Sequence, residues 1–130
     1  MVSNIIRVVC AIIIYNEKIL AVQRGHQMSL PLKWEFPGGK MEENETEEDC
    51  IKREIKEELN IEILLLKKLT NSFYKYPNLS IELIPFVAQY ISGEIVLTEH
   101  QSYQLLNLNE LGNLDWAEAD LPIVKELQTI

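Results

Sequence analysis

Cysteine is scarce in this chain: Cys10 and Cys50 are the only two among 130 residues. Two are too few for a disulfide framework, and free thiols in a reducing cytoplasm are the expected state. Long apolar runs are missing too. The run from Val8 to Tyr15 falls far short of the ~20 residues that a membrane-spanning helix needs. It follows Arg7 and has no small-residue cleavage site, so no cleaved leader is expected. Basic residues are outnumbered, 12 Lys and Arg against 20 Asp and Glu, and the net charge is −8. That balance argues against a general binder of nucleic-acid polymers or of membrane surfaces. Internal repeats, low-complexity segments and linkers are absent. What is present is an ordinary globular composition, 47% hydrophobic and 25% charged. One domain covering 1–130 is expected, and both a monomer and a homodimer remain open.

The densest chemical signal lies between Gly39 and Ile61. Glu54, Glu57 and Glu58 stand at i, i+3 and i+4, a spacing that gathers three carboxylates on one face of a helix. Like charges so placed repel, and a helix has no reason to collect them without a cation. A hard divalent ion such as Mg²⁺ favours carboxylate oxygens, and Mg²⁺ points to phosphate chemistry. A solvated acidic face is the competing explanation that spacing alone leaves standing.

The pattern around this helix predicts alternating strands and helices. Ile5 to Tyr15, rich in β-branched residues, reads as a buried strand. A turn at Asn16-Glu17 leads to a second strand, Lys18 to Gln23, forming a hairpin. A polar loop, Arg24 to Lys33, precedes a short extended piece, Trp34 to Phe36, that ends at Pro37-Gly38-Gly39. Thr46 is a good N-cap, with Asp49 three residues on. The helix should run from about Glu47 to Leu59, burying Ile51, Ile55 and Leu59. Two longer strands, Ile61 to Phe73 and Leu79 to Tyr90, flank a turn at Tyr76-Pro77-Asn78. Glu94 to Leu97 reads as a short strand, Tyr103 to Leu108 as another, and Asn109 to Leu114 as a helical turn. Leu121 to Leu127 should form the last helix, with Asp120 as N-cap and Pro122 in its first turn. Interleaved strands and helices mean α/β or α+β with a mixed sheet.

The run Gly39, five residues, Glu45, seven residues, then Arg53-Glu54-Ile55-Lys56-Glu57-Glu58-Leu59-Asn60-Ile61 resembles the signature box of the Nudix hydrolases. It departs at one defining position, where Asn60 replaces a Gly. That position follows the helix end, where the backbone turns left-handed, and Asn is the next-best residue for the turn. The resemblance implies an α/β/α sandwich around a mixed sheet. It implies that Glu54, Glu57 and Glu58 bind metal, with the carbonyl of Gly38 as a further ligand. Side-chain-free Gly38-Gly39 would then let the chain approach the ion. Glu54 is the first choice as general base, with Glu58 and Glu99 as alternatives. Arg53 is expected to pair with Glu45, which would also orient the base.

Outside the box, Trp34-Glu35-Phe36-Pro37-Gly38-Gly39-Lys40 looks like the approach to the box in the MutT-like branch, whose members hydrolyse nucleoside triphosphates. By that likeness Arg24 and Lys40 are phosphate contacts; for Arg24 a solvated cation at the hairpin end is the alternative. Trp34 reads as a packing residue. Glu99, in Thr98-Glu99-His100-Gln101, matches a distant acidic metal ligand of the branch, and the triplet resembles relatives acting on cytidine nucleotides. An exposed loop glutamate is the plain alternative, and His100 reads as a loop or packing residue. Asp120 matches a base-contacting position; its carboxylate suits the exocyclic amine of cytosine, and a protonated Asp would suit an oxidised guanine. The implied activity is Mg²⁺-dependent hydrolysis of a nucleoside triphosphate to monophosphate and pyrophosphate, with Mn²⁺ able to substitute. Two alternatives stay open: a Nudix hydrolase of a nucleoside diphosphate sugar or dinucleoside polyphosphate, and a non-catalytic nucleotide-binding module.

Overall fold

A computed structural model describes residues 5–129. Strand β1 (Ile5–Tyr15) is the spine of one eight-stranded mixed sheet. It is apolar on both faces because both faces are covered. Val9, Ala11 and Ile13 enter one core, and Cys10 and Ile12 the other. Asn16 and Glu17 both adopt left-handed φ, 48° and 68°, the geometry of a two-residue type I′ hairpin. They return the chain to β2 (Lys18–Gln23).

β2 stays beside β1 only at Ile14 and Tyr15. Beyond that corner β2 pairs with β3 (Trp34–Glu35), while β1 pairs with β4 (Gly38–Lys40) through Val8, Val9 and Cys10. The segment Trp34 to Lys40 therefore bridges a split between two strands. That split is where the candidate site opens.

Helix α1 (Glu47–Leu59) starts where Thr46 Oγ1 accepts from Asp49 N at 3.0 Å, and its first turn carries Glu47, Glu48 and Asp49. Negative charge there complements the helix dipole. It ends at Asn60, left-handed at φ 63°, whose side-chain amide donates to the Glu94 carbonyl at 3.2 Å. Cys50, Ile51, Ile55 and Leu59 pack on the Val9 face of β1. Helix α2 (Leu121–Gln128) packs Ile123, Val124 and Leu127 on the Cys10 face. The expected sandwich with a mixed sheet is thus built on the alternation of β1.

Three expectations are corrected. Ile61 to Phe73 is not one strand but two, β5 (Glu62–Lys68) and β6 (Ser72–Tyr76), both antiparallel to β7 (Leu79–Ser92). The break lies opposite Pro85, whose carbonyl accepts from Leu69 N at 3.0 Å. Within a strand the N and C=O of one residue point the same way, so the missing N–H of Pro85 faces that break. β7 runs parallel to β1 on its other edge, from Ile5↔Ser80 to Ile14↔Gln89. Glu94 to Leu97 is not a strand. Val96 N donates to the Leu59 carbonyl and Thr98 N to that of Glu58, at 3.0 and 3.3 Å, so the segment satisfies the open end of α1. The strand expected at Tyr103 to Leu108 is β8 (Ser102–Leu106), paired with β2, and a 3₁₀ turn follows at Leu108–Asn113. Lastly, Asp120 does not cap α2 with its side chain, because that carboxylate is engaged elsewhere.

Candidate active site

A cleft of about 320 Å³ opens at the split between β1 and β2. Its lining includes the charged side chains of Glu35, Glu58, Arg24 and Lys40, with Gly38 and Gly39. It also includes the largely apolar set Phe36, Tyr76, Leu79, Ile81 and Leu83, with Asp120. Such a mixed lining suits a ligand that carries both an anionic group and a flat heterocycle.

The glutamate helix supplies part of the charged lining. Glu58 is mostly buried and accepts from Gly38 N at 3.2 Å. Burial, reinforced by Glu54 and Glu35, pushes its carboxyl up to about 7 against the opposing charge of His100. Glu54 is raised as well, first by burial, and then by Glu57, Glu42 and Glu45 in excess of what Arg53 relieves. Glu57 is the exposed member, at 58%, and meets Arg53 Nη1 at 3.1 Å.

Arg53 and Glu45 form the fork that joins loop to helix, Nε to Oε2 at 2.6 Å and Nη2 to Oε1 at 3.0 Å. Arg53 also reaches Glu54 Oε2 at 3.6 Å. The bond from Arg53 holds the Glu45 carboxyl down to about 2, below its ordinary 4.5. A depressed folded-state pKa contributes stability above the ordinary value and loses it as pH falls. Wild-type melting temperature is therefore expected to fall between pH 4.5 and 2 more steeply than that of Glu45→Gln. Parallel melting curves across that window would refute the pairing's contribution.

The two glycines turn out to face different neighbours. A Cβ on Gly38 would strike the Val9 carbonyl and lie 2.7 Å from Cys10 Cα, both in β1. A Cβ on Gly39 would strike the Glu54 carboxylate. Close approach to β1 and to Glu54 is thus the visible reason for this pair.

Arg24 is neither solvated nor free. Its side chain is 18% exposed, and Nη1 meets Glu35 Oε1 at 2.8 Å. Its remaining donors hold Ser29 through the backbone carbonyl and the hydroxyl. Lys40 is exposed and makes no ion pair among the described residues. Trp34 is 8% exposed and packs in the core of the α2 side. Glu99 is exposed, with no side-chain partner among the described residues. Asp120 is 4% exposed, and its Oδ2 accepts from Phe36 N at 2.9 Å. Among the described residues its Oδ1 has no hydrogen-bond partner, and Asp120 lines the cleft. Burial first, and then the charge of Glu35, raise the Asp120 carboxyl well above its ordinary value.

Sequence reasoning missed Glu35. It holds Arg24 on one oxygen and His100 Nε2, at 2.8 Å, on the other. His100 is no solvated loop residue, since its side chain is 1% exposed. Tyr76 was missed as well; its hydroxyl accepts from Ala119 N at 3.3 Å and braces the segment carrying Asp120. No local pattern announces contacts across such separations.

The donor set fits a hard divalent cation. Glu54 and Glu58 are partly buried carboxylates whose charge nearby groups do not fully offset, and cation binding would relieve that. Among the described residues, no three His, Cys, Asp or Glu side chains are gathered closely enough to form a ready cage.

A mixed sheet between two helices, with a glutamate-bearing helix beside a cleft of charged and apolar lining, fits a hydrolase of anionic substrates. Residues 5–127 match the NUDIX domain model, and the chain belongs to the Nudix family. It is 30% identical to the CTP pyrophosphohydrolase of Escherichia coli (strain K12), over 98% of this chain and 94% of that one. It is 31% identical to the 8-oxo-dGTP diphosphatase of Buchnera aphidicola subsp. Schizaphis graminum (strain Sg), covering 93% and 92%. Among solved structures, it resembles a DNA mismatch repair protein MutT of methicillin-resistant Staphylococcus aureus 252, with 42% identity, 98% of each chain covered and a TM-score of 0.80. The chain is accordingly a hydrolase acting on phosphorus-containing anhydrides.

Proposed function

We propose that this enzyme hydrolyses modified nucleoside triphosphates, of cytidine type or 8-oxo-dGTP, to the monophosphate and pyrophosphate, as a single 1–130 domain sanitising the cytoplasmic nucleotide pool. The observation that carries this reading is that one cleft is lined by Glu58, Gly38 and Lys40 and also by Asp120, whose Oδ2 is held by Phe36 N. Similarity to a CTP pyrophosphohydrolase and an 8-oxo-dGTP diphosphatase supports it.

Glu54, Glu57 and Glu58, with the Gly38 carbonyl and Glu99, would hold Mg²⁺, or Mn²⁺ in its place. The ion, when bound, neutralises phosphate charge and makes water more acidic. Glu54 takes the proton of the attacking water, and Arg53, fixed by Glu45, keeps that carboxylate in place. Lys40 offsets phosphate charge, and Arg24 does so from the cleft wall while remaining on Glu35. Tyr76, Leu79 and Ile81 keep water from the base. Asp120 Oδ1 meets its edge, accepting from an amine when ionised and donating to a carbonyl when protonated.

The test is Mg²⁺-dependent pyrophosphate release across CTP, dCTP, 5-hydroxy-dCTP, dGTP, 8-oxo-dGTP and an ADP-sugar. Asp120→Asn separates the two bases. Its amide oxygen can keep the Phe36 N–H satisfied, which turns an NH₂ donor toward the cleft. A cytosine amine then loses its acceptor, and kcat/KM for the cytidine-type substrate is expected to fall about 10–100-fold. Turnover of 8-oxo-dGTP would be retained, since an amide donor replaces the protonated acid. Equal losses on both bases would sink base reading by Asp120. Cleavage of the ADP-sugar alone would sink the triphosphatase reading, and silence on every substrate would leave only a binding module.

A further inference from the structure

We propose that His100 is a positioning residue for Glu99, tying its loop to the cleft wall so that this carboxylate is held toward the glutamate face of α1. The inference rests on the reading of Glu99 as a metal-binding carboxylate. Glu99 is exposed and its side chain makes no hydrogen bond or ion pair among the described residues, but the residues on either side are pinned. Before it, Thr98 donates through its backbone N to the Glu58 carbonyl at 3.3 Å, and Thr98 Oγ1 also bonds that carbonyl at 3.3 Å. After it, His100 Nε2 meets Glu35 Oε2 at 2.8 Å, and Gln101 N donates to the Gln23 carbonyl at 2.9 Å. One pin thus leads to the helix that carries the glutamates, and the other to the segment that ends at Gly38 and Gly39.

Packing alone does not account for the imidazole. Its Nδ1 is buried without a partner, the one such side-chain atom among the described residues. An unsatisfied buried polar atom is destabilising, and an apolar side chain would fill the space without that cost. The return on keeping a histidine is the Nε2 bond to Glu35, which Arg24 steadies from the other side at 2.8 Å. With Nε2 engaged by Glu35, Nδ1 is left without a partner in either protonation state of the ring.

A carboxylate held in place binds a cation more tightly than one that must first be ordered. The test is Mn²⁺ affinity, read by titration with electron paramagnetic resonance on protein without substrate. His100→Leu is expected to weaken Mn²⁺ binding about 10–100-fold. His100→Gln, whose amide NH₂ can donate to Glu35, should recover most of it. In a double-mutant cycle, His100→Leu should cost nothing further in the Glu99→Gln background. Wild-type Mn²⁺ affinity in His100→Leu, no rescue by His100→Gln, or an undiminished loss in the Glu99→Gln background would each overturn the proposal. Should His100→Leu not fold, Thr98→Val takes its place in the cycle: loss only when Glu99 is intact supports the positioning role, and additive loss overturns it. A wrong substrate assignment would show instead as absent pyrophosphate release by the wild type, and leaves the Mn²⁺ cycle readable.

Discussion

Glu54→Gln is expected to lower pyrophosphate release by about 10²–10⁴-fold while leaving the protein folded, with a melting temperature at or above that of the wild type. The two halves have one cause. Glu54 is a half-buried carboxylate set beside Gly39, with Glu57, Glu42 and Glu45 adding negative charge around it. Arg53 does not offset this, because its fork is committed to Glu45 and it reaches Glu54 Oε2 only at 3.6 Å. Such a group is expected to destabilise the empty protein, which fits the proposed role toward a cation and substrate. The amide has nearly the same volume, so packing against Gly39 survives. It carries no charge for a cation and is no base for water. Kinetics of pyrophosphate release and a thermal melt on one preparation decide the matter. Full turnover would remove Glu54 from the chemistry. Lost turnover with a collapsed melt would make it a structural residue.

The glutamate helix was legible in the sequence because everything that shapes it is local. Thr46, the acidic first turn, the apolar spacing of Ile51, Ile55 and Leu59, and the left-handed Asn60 all act within a few residues. β1 was legible for a related reason, since a strand covered on both faces must be apolar throughout. The strand break opposite Pro85 was hidden. The proline is plain in the sequence, but the residues that bend to meet it are on the neighbouring strand. The apolar lining of the cleft was hidden likewise. Asp120 reads as a helix cap and, by the family likeness, as a base contact, but its bond from Phe36 N across 84 positions is visible only in the fold. His100 reads as a loop or packing residue, and it is buried, but its partner Glu35 lies 65 positions away. Local sequence marks where charge is collected. The residues that hold that charge in place, and those proposed to meet a base, are brought together by topology.

Gly38→Ala and Gly39→Ala are expected to fail in opposite ways, although one methyl is added at adjacent positions. Neither glycine has a positive φ, so alanine meets no backbone penalty and the outcome is decided by neighbours. At Gly38 the methyl would strike the Val9 carbonyl and Cys10 Cα. Both belong to the central strand, where Val9 and Cys10 are 0% and 1% exposed. That backbone is held by β4 on one edge and β7 on the other and cannot retreat. The expected cost is about 3 kcal/mol or more, seen as a large fall in melting temperature or no folded protein. At Gly39 the methyl would meet the Glu54 carboxylate, the free end of a side chain that can swing away. The fold should persist with a melt close to wild type, and pyrophosphate release should fall nearly as far as in Glu54→Gln. In the Glu54→Gln background, Gly39→Ala should then cost little more, because the group it displaces no longer acts. A folded and active Gly38→Ala would show that the β1–β4 pairing yields. An active Gly39→Ala would show that Glu54 need not lie against Gly39 to do its work.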